Sequence, residues 1–305
     1  MKEMKRVVIT GATGMIGKKV SARLIESGYK ISVLSLNSVR AEQIIPGAAE
    51  YVDWNLKSRD WYYVLENKDA VIHLAGENIM SKRWTDTHKK NIISSRVDTT
   101  HSMVDAINNA VNKPKVFISA SAVGYYGNSE KEVDEYSAVG NDFLAHVVEM
   151  WESSSIKLPS DIRRVYVRIG MVLDKSEGVL AKMIPPFKYF VGGPLGSGNQ
   201  WFPWVHIDDV VGIFLFALEN AGANGVLNAG SPNPVRMKEF CKKLGSVTNR
   251  PSLINVPGFV LKFFLGEAAD AILSGAKVIP KRTEQAGYKF IFTELKSALE
   301  NLIRK

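Results

Sequence analysis

Residues 6–17 read RVVITGATGMIG: a short β-branched run, then Gly11, Gly14 and Gly17 spaced three apart as an apolar, helix-compatible stretch begins. A strand, a glycine turn and a helix in immediate succession are what a parallel sheet needs if the helix N-terminus is to face an anion beyond the strand's carboxyl end. In such a turn Gly11 permits the tight bend, Gly14 lets the backbone approach a pyrophosphate, and Gly17 lets the helix pack closely on the sheet. The order of the three elements separates this stretch from a chance glycine triplet.

Outward from that loop, β-branched runs alternate with longer amphipathic stretches, the rhythm of strands joined by crossover helices. Strands are expected at Arg6–Thr10, Ile31–Leu34, Glu50–Asp53, Ala70–Leu74, Val116–Ser119 and Arg164–Arg168, with helices near Met15–Ser27, Thr85–Ala110 and Asp142–Ile156. The fold class is therefore α/β, a doubly wound parallel Rossmann sheet. After Gly170 the Pro/Gly-rich segment 184–203 (IPPFKYFVGGPLGSGNQWFP) reads as a long irregular excursion. A helix from Asp208 or Asp209, a strand at Val226–Ala229 and a helix from Arg236 follow. Residues 1–235 are expected to form the dinucleotide-binding domain, with the excursion 170–205 on its substrate side, and residues 236–305 a small, mostly helical lobe.

The end of the second strand sets the choice of dinucleotide, because a carboxylate there would bind the ribose 2′-hydroxyl and repel a 2′-phosphate. Here the strand ends in VLSLN, with Ser35 where the acid would stand and Arg40 close behind. This pattern favours NADP(H). HLAG after the fourth strand places Ala75 and Gly76 at the sheet edge where the dinucleotide lies, while Asp53 reads equally as an adenine contact or a strand-end cap.

The 305 residues are 46% hydrophobic, enough for a large core and an appended lobe. The longest apolar patches, such as VVGIFLFAL, are broken far short of a membrane span. The chain runs almost directly into RVVIT, so no secretory signal is expected. Cys241 is the single cysteine, which excludes an internal disulfide and suits a reducing, cytoplasmic setting. The net charge of +8 is spread over scattered pairs with no long basic run, so no nucleic-acid partner is expected. The five histidines lack ligand spacing, and no metal site is expected.

GATGMIG, HLAGENIMSKRWT, SASAVGYYG, GGPLGSGNQWFPWVHIDD and VIPKRTEQAGY, in that order, resemble the epimerase-family proteins of the atypical short-chain dehydrogenase/reductase group, relatives of the nucleotide-sugar epimerases. The resemblance spans nearly the whole chain. It implies an extended-type Rossmann fold with a small C-terminal lobe, NADP(H) binding and a small-molecule substrate, without naming that substrate. By analogy with the wider superfamily, a homodimer would pair through the long helices beside the fourth and fifth strands. Carried over position by position, cofactor contacts fall on the Gly11–Gly17 loop, including Thr13, Met15 and Ile16, on Ser35 and Leu36, on Leu74 and Ala75, on Asn91 and Arg96, and on Val172. The family usually has arginine where this chain has Leu36, so the 2′-phosphate must find its charge elsewhere, with Arg40 and Arg96 as candidates.

The superfamily's tyrosine, with a lysine four residues later, is missing. None of the ten tyrosines has such a partner, and the two places fall on Phe143 and Val147. Ser121 matches the superfamily's catalytic serine, which would polarise a substrate carbonyl or alcohol. A proton donor is sought first at Tyr125 and Tyr126, then at His146, Glu77 or Lys82. Each tyrosine also has the reading of a packed ring with a satisfied hydroxyl. Trp201, Phe202 and Trp204 could stack on a flat ligand or close the lobes together. Arg83, beside Trp84, could meet an anionic substrate. Asp208 and Asp209 read as the cap and first turn of a helix. Two functions follow: an NADP(H)-dependent oxidoreductase or epimerase-like enzyme working by hydride transfer, and a cofactor-binding sensor or scaffold that has lost its chemistry.

Overall fold

The computed structural model describes residues 5–304. β1 (Arg6–Thr10) turns into α1 (Met15–Glu26), followed by β2 (Lys30–Ser35), α2 (Ser38–Ile44), β3 (Glu50–Asp53), β4 (Ala70–His73), α3 (Asp86–Asn109) and β5 (Val116–Ala122). Next come β6 (Ser129–Val133), α4 (Phe143–Ser153), β7 (Arg163–Ile169), β8 (Met171–Leu173), α5 (Gly178–Lys188), β9 (Trp201–Phe202), β10 (Trp204–His206), α6 (Ile207–Glu219) and β11 (Gly225–Ala229). The chain continues through β12 (Val235–Arg236), α7 (Met237–Thr248), α8 (Gly258–Leu265), α9 (Asp270–Leu273), β13 (Ala276–Val278), α10 (Lys281–Gln285) and α11 (Leu295–Arg304).

Seven strands form one sheet in the order β3-β2-β1-β4-β5-β7-β11, every neighbouring pair parallel. The central strands are continuously apolar because helices cover both faces. On one face Ile9, Ile72 and Ile118 pack with Val20, Leu24 and Phe214 of α1 and α6, and on the other Val8, Val71 and Phe117 pack with Met103 and Ile107 of α3. The strand order reverses between β1 and β4, opening a crevice at their carboxyl ends, the place where sheets of this winding bind ligands.

A further apolar cluster joins the excursion after β7 to the C-terminal part: Phe187 of α5, Phe202, Phe240 and Leu244 of α7, and Leu299 of α11. Two buried carboxylates fasten the C-terminal segment to the sheet. Asp209 accepts from the backbone N–H of Ile291 (2.7 Å) and Phe292 (3.0 Å) and from the Tyr288 hydroxyl (3.1 Å). Glu135 accepts from the N–H of Arg282 (2.9 Å), Thr283 (3.1 Å) and Asn228 (3.0 Å), bridging α10 to β11.

The structure corrects two expectations and adds one pairing. Segment 184–203 is not irregular from its start, because α5 runs through Pro185 and Pro186 to Lys188; burial of Leu180, Met183, Ile184 and Phe187 holds it helical against the missing N–H groups. α6 begins at Ile207, and its cap is His206, whose Nδ1 accepts from Asp208 N–H at 3.0 Å. Asp208 and Asp209 stand in the first turn of α6, as expected, but neither is the cap, and Asp209 is the anchor just described. Two short parallel strands, β6 and β13, pair with each other and were not foreseen.

Candidate functional site

The glycine loop ends β1 in the crevice, and each glycine has a distinct reason to be there. Gly11 has φ +68°, and a Cβ on it would lie 2.6 Å from the carbonyl carbon of Leu74. A Cβ on Gly17 would come within 2.7 Å of Ala12 Cα and closer still to Gly11 O, so this glycine seats α1 against the loop. A Cβ on Gly14 would meet only Gly11 O, at 3.4 Å, and otherwise open space. Gly14 is also the N-cap of α1, and no side chain caps that helix. The loop therefore presents a helix N-terminus, with its positive end and unpaired amides, to an approach that only glycine leaves clear. Met15 opens α1 and touches Gly178, whose Cβ would lie 3.1 Å from its Sδ. Lys18 pairs with Glu177, and Lys19 with Asp174 at 3.1 Å, so the segment before α5 is held against α1.

The HLAG edge is ordered by a buried chain of hydroxyls. Thr10 Oγ1 accepts from the N–H of Leu74 (3.2 Å) and Ala75 (3.3 Å) and lies 2.8 Å from His73 Nδ1. The other ring nitrogen is 3.1 Å from Thr100 Oγ1, which donates to Arg96 O at 2.7 Å. With Thr10 donating to Nδ1, His73 carries its proton on Nε2, and burial pushes its pKa down to about 4. The amides of Leu74 and Ala75 are thus committed to β1, leaving the turn at Gly76 facing the crevice. A Cβ on Gly76 would sit 3.3 Å from the Arg96 guanidinium carbon. Arg96 donates to Ile92 O (3.0 Å) and Glu77 O (2.9 Å), lies 5.1 Å from the Trp151 ring centre, and forms no ion pair among the described residues; burial lowers its pKa to about 10. Asn91 is exposed one turn earlier on α3.

At the far end of β2, Ser35 is half-buried and Leu36 is 84% exposed. Asn37 caps α2 by accepting from Arg40 N–H at 2.8 Å, and Asp53 accepts from Ser38 N–H at 2.7 Å, so Asp53 serves as a helix cap. The Arg40 side chain is exposed and makes no ion pair among the described residues. Val172 lies in β8, buried and paired with Val205.

Ser121, Tyr125 and Tyr126 meet in one network. Ser121 Oγ donates to Glu152 Oε1 at 2.5 Å, and Arg168 grips both oxygens of that carboxylate, at 2.8 Å each. Arg168 also donates to the Tyr126 hydroxyl (3.1 Å) and lies 3.3 Å from the Tyr125 ring centre. Burial works against the Arg168 charge, but the hydrogen bonds to Glu152 outweigh it and raise its pKa. The Tyr126 hydroxyl donates to Asn228 Oδ1 at 2.7 Å and is buried, which pushes its pKa up to about 12. Tyr125 is half-exposed beside it. Both tyrosines stand in a single 3₁₀ turn, Val123–Tyr126.

Of the two positions that the sequence reading matched to the superfamily's pair, Phe143 packs edge-on against Trp84 at 5.1 Å, and Val147 is buried. Lys89 of α3 places its ammonium 5.4 Å from the Phe143 ring centre and pairs with Glu267 of the C-terminal part. His146 and Lys82 are exposed, and Glu77 accepts from Ser81 Oγ at 3.0 Å. Phe202 and Trp204 are core residues, the latter donating to Asn233 O at 3.1 Å; Trp201 lies under Arg236, 4.0 Å from its ring centre. Arg83 approaches Gly266 of the C-terminal part. Glu152, Arg168 and Lys89 escaped the sequence reading. The one signal available was a charge inside the apolar strand VYVRIG.

Residues 7–145 and 173–230 match the profile of the NAD dependent epimerase/dehydratase family. The chain belongs to that family. Residues 256–302 match a second profile, a domain of unknown function designated DUF1731. The chloroplastic "Epimerase family protein SDR39U1 homolog" of Arabidopsis thaliana is 45% identical over 98% of this chain and 86% of its own length. "Epimerase family protein YfhF" of Bacillus subtilis is 38% identical over 97% of each. The crystal structure of the human epimerase family protein SDR39U1 (isoform 2) with NADPH superposes with a TM-score of 0.89 at 35% identity, covering 98% of this chain and 99% of that one. The family's Rossmann-type sheet and helical C-terminal part are therefore those of this chain, and among the described residues no helix is long and apolar enough to cross a membrane.

Proposed function

We propose that the protein binds NADP(H) across the β1–β4 crevice and acts as an oxidoreductase or epimerase-like enzyme on a small hydroxyl- or carbonyl-bearing substrate. The observation that carries this reading is the uncapped N-terminus of α1, approached through a gap that a Cβ on Gly14 would fill. The human relative crystallised with NADPH supports the choice of dinucleotide, as does Ser35 at the end of β2. In this reading the amides of the Gly11–Gly17 loop, with Thr13, Met15 and Ile16, hold the pyrophosphate, and Arg40, which makes no ion pair among the described residues, answers the 2′-phosphate beside Ser35 and Leu36. Leu74, Ala75 and Gly76, with Asn91, Arg96 and Val172, line the remaining length. When bound, the nicotinamide gives a hydride to, or takes one from, the substrate carbon while the substrate oxygen gains or loses a proton.

The chain's own part in the chemistry falls to Tyr125. Its neighbour Tyr126 has its hydroxyl committed to Asn228, and Ser121 donates its hydroxyl hydrogen bond to the Glu152 carboxylate. Arg168 lies against the Tyr125 ring and fixes its position, while Ser121 remains placed to polarise a substrate oxygen if its hydroxyl turns away from Glu152. The same proposal sets the protein in the cytoplasm, without a nucleic-acid partner, with two copies pairing through α3 and α4. A second reading, a cofactor-binding sensor or scaffold, is favoured by Phe143 and Val147, which can neither pass a proton nor hold a ribose. A panel of carbonyl and alcohol compounds with NADPH and NADP⁺ separates the two: turnover that Tyr125→Phe reduces at least tenfold with unchanged NADPH affinity supports the enzyme, and no turnover across the panel supports the sensor.

A further inference from the structure

Beyond the carboxyl end of β7, between α5, β9 and α7, lies a cavity of about 240 Å³. Its floor is made of Met183, Phe187, Phe202 and Met237, all buried. One wall, Met171 and Val179, stands next to the glycine loop, since Gly178 beside Val179 is in contact with Met15 at the start of α1. Lys182, exposed to solvent, is the one charged group on the lining. The cavity thus occupies the substrate side of the crevice, one side chain away from the phosphate cradle.

Its chemistry does not suit a nucleotide sugar. Two phosphates in an apolar pocket need several cations or donors, and a single lysine at the rim supplies neither the charge nor the geometry. The volume falls below the roughly 300–1,000 Å³ of sites for drug-sized ligands. At the ~30 Å³ that a water occupies in the liquid, it holds on the order of ten non-hydrogen atoms. Two methionines on the floor and a third on the wall give a surface that can reshape around a flat or branched apolar body. A rigid core would have closed such a space, because unfilled apolar volume forfeits contacts on every side.

We propose that this cavity holds the apolar body of the substrate of the enzyme proposed above, a reading on which this inference rests; its lining includes neither Ser121 nor Tyr125, so the reacting carbonyl lies outside it, and the ligand is a small aromatic or branched apolar carbonyl compound whose anionic substituent meets Lys182, to the exclusion of nucleotide sugars. The test is calorimetric titration of the NADPH-saturated protein with benzaldehyde, 4-carboxybenzaldehyde and UDP-glucose, with the NADPH titration of the same sample recorded separately. The expected result is binding of both aldehydes, several-fold tighter for the carboxylated one, and none of UDP-glucose. Val179→Trp, which fills the cavity, weakens both aldehydes at least tenfold with NADPH affinity retained as the check on folding. Lys182→Gln, at an exposed position, removes only the advantage of the carboxylate. UDP-glucose binding as tight as the aldehydes, or aldehyde binding indifferent to Val179→Trp, overturns the proposal. So does the absence of aldehyde binding to a protein that binds NADPH. Aldehyde binding blocked by Val179→Trp in a protein that fails to bind NADPH upholds the cavity as the ligand site and sinks the oxidoreductase reading alone.

Discussion

Replacing Glu152 by alanine attacks the network that holds Ser121 and Tyr125 in place. The carboxylate's side chain is 13% exposed and that of Arg168 only 3%, so the variant leaves a guanidinium sealed in the sheet without its counter-charge and Ser121 without its acceptor. Removing one partner of a buried pair costs about 3–5 kcal/mol, most of it the stranded charge. Unfolding entropy of about 2.1 cal/mol/K per residue over 305 residues gives about 0.6 kcal/mol per degree, so Tm should fall by about 5–8 °C. Differential scanning calorimetry reads this directly. The double variant Glu152→Met with Arg168→Met removes both charges, and should recover at least half of the loss although it gives up the Arg168 contacts to Tyr125 and Tyr126. A drop of less than about 1 °C for Glu152→Ala, or a double variant no more stable than the single one, would refute the reasoning, because either would mean that the pair is neither desolvated nor coupled.

The glycine loop gives a paired test. Gly14→Ala should keep its stability while losing at least tenfold in NADPH affinity, whereas Gly17→Ala, whose Cβ would lie 2.7 Å from Ala12 Cα, should lose about 1–3 kcal/mol in urea unfolding; equal losses of stability would sink the distinction. Ser35→Asp places a carboxylate at the end of β2 and should weaken NADPH at least tenfold while improving NADH, measured by fluorescence titration. His73 carries a pKa pushed by burial from 6.5 to about 4, so between those pH values the unfolded chain takes up a proton that the folded chain refuses. Its contribution is complete above pH 6.5 and declines by about 3 kcal/mol as the pH falls to about 4. His73→Gln should flatten that part of the urea-unfolding profile, and an unchanged pH slope would show that His73 is protonated when folded.

The parallel sheet was legible because its strands are apolar on both faces and separated by glycine turns, a pattern that burial imposes directly on the sequence. All seven expected strands exist, with the fifth lengthened to Val116–Ala122 and the sixth to Arg163–Ile169. The helix through Pro185 and Pro186 was hidden because proline is a strong local breaker, and only the tertiary burial of Met183 and Phe187 overrides it. Asp209 and Glu135 were illegible as anchors for a similar reason: each takes its hydrogen bonds from residues more than 70 positions away, which no local pattern records. The candidate cofactor loop could be read from spacing because one turn supplies it whole. The Ser121–Glu152–Arg168–Tyr126 network could not, since four separate elements contribute to it.

The central claim is that the crevice at β1 and β4 is built for a 2′-phosphorylated dinucleotide, and calorimetric titration of the purified protein with NADPH and NADH side by side tests it most directly. NADPH binding in the micromolar range with NADH at least tenfold weaker is the expected result. Equal affinity would leave the cradle standing but remove the meaning given to Ser35 and Arg40. Failure to bind either dinucleotide would contradict the account, and the glycine loop would then be a device of packing alone.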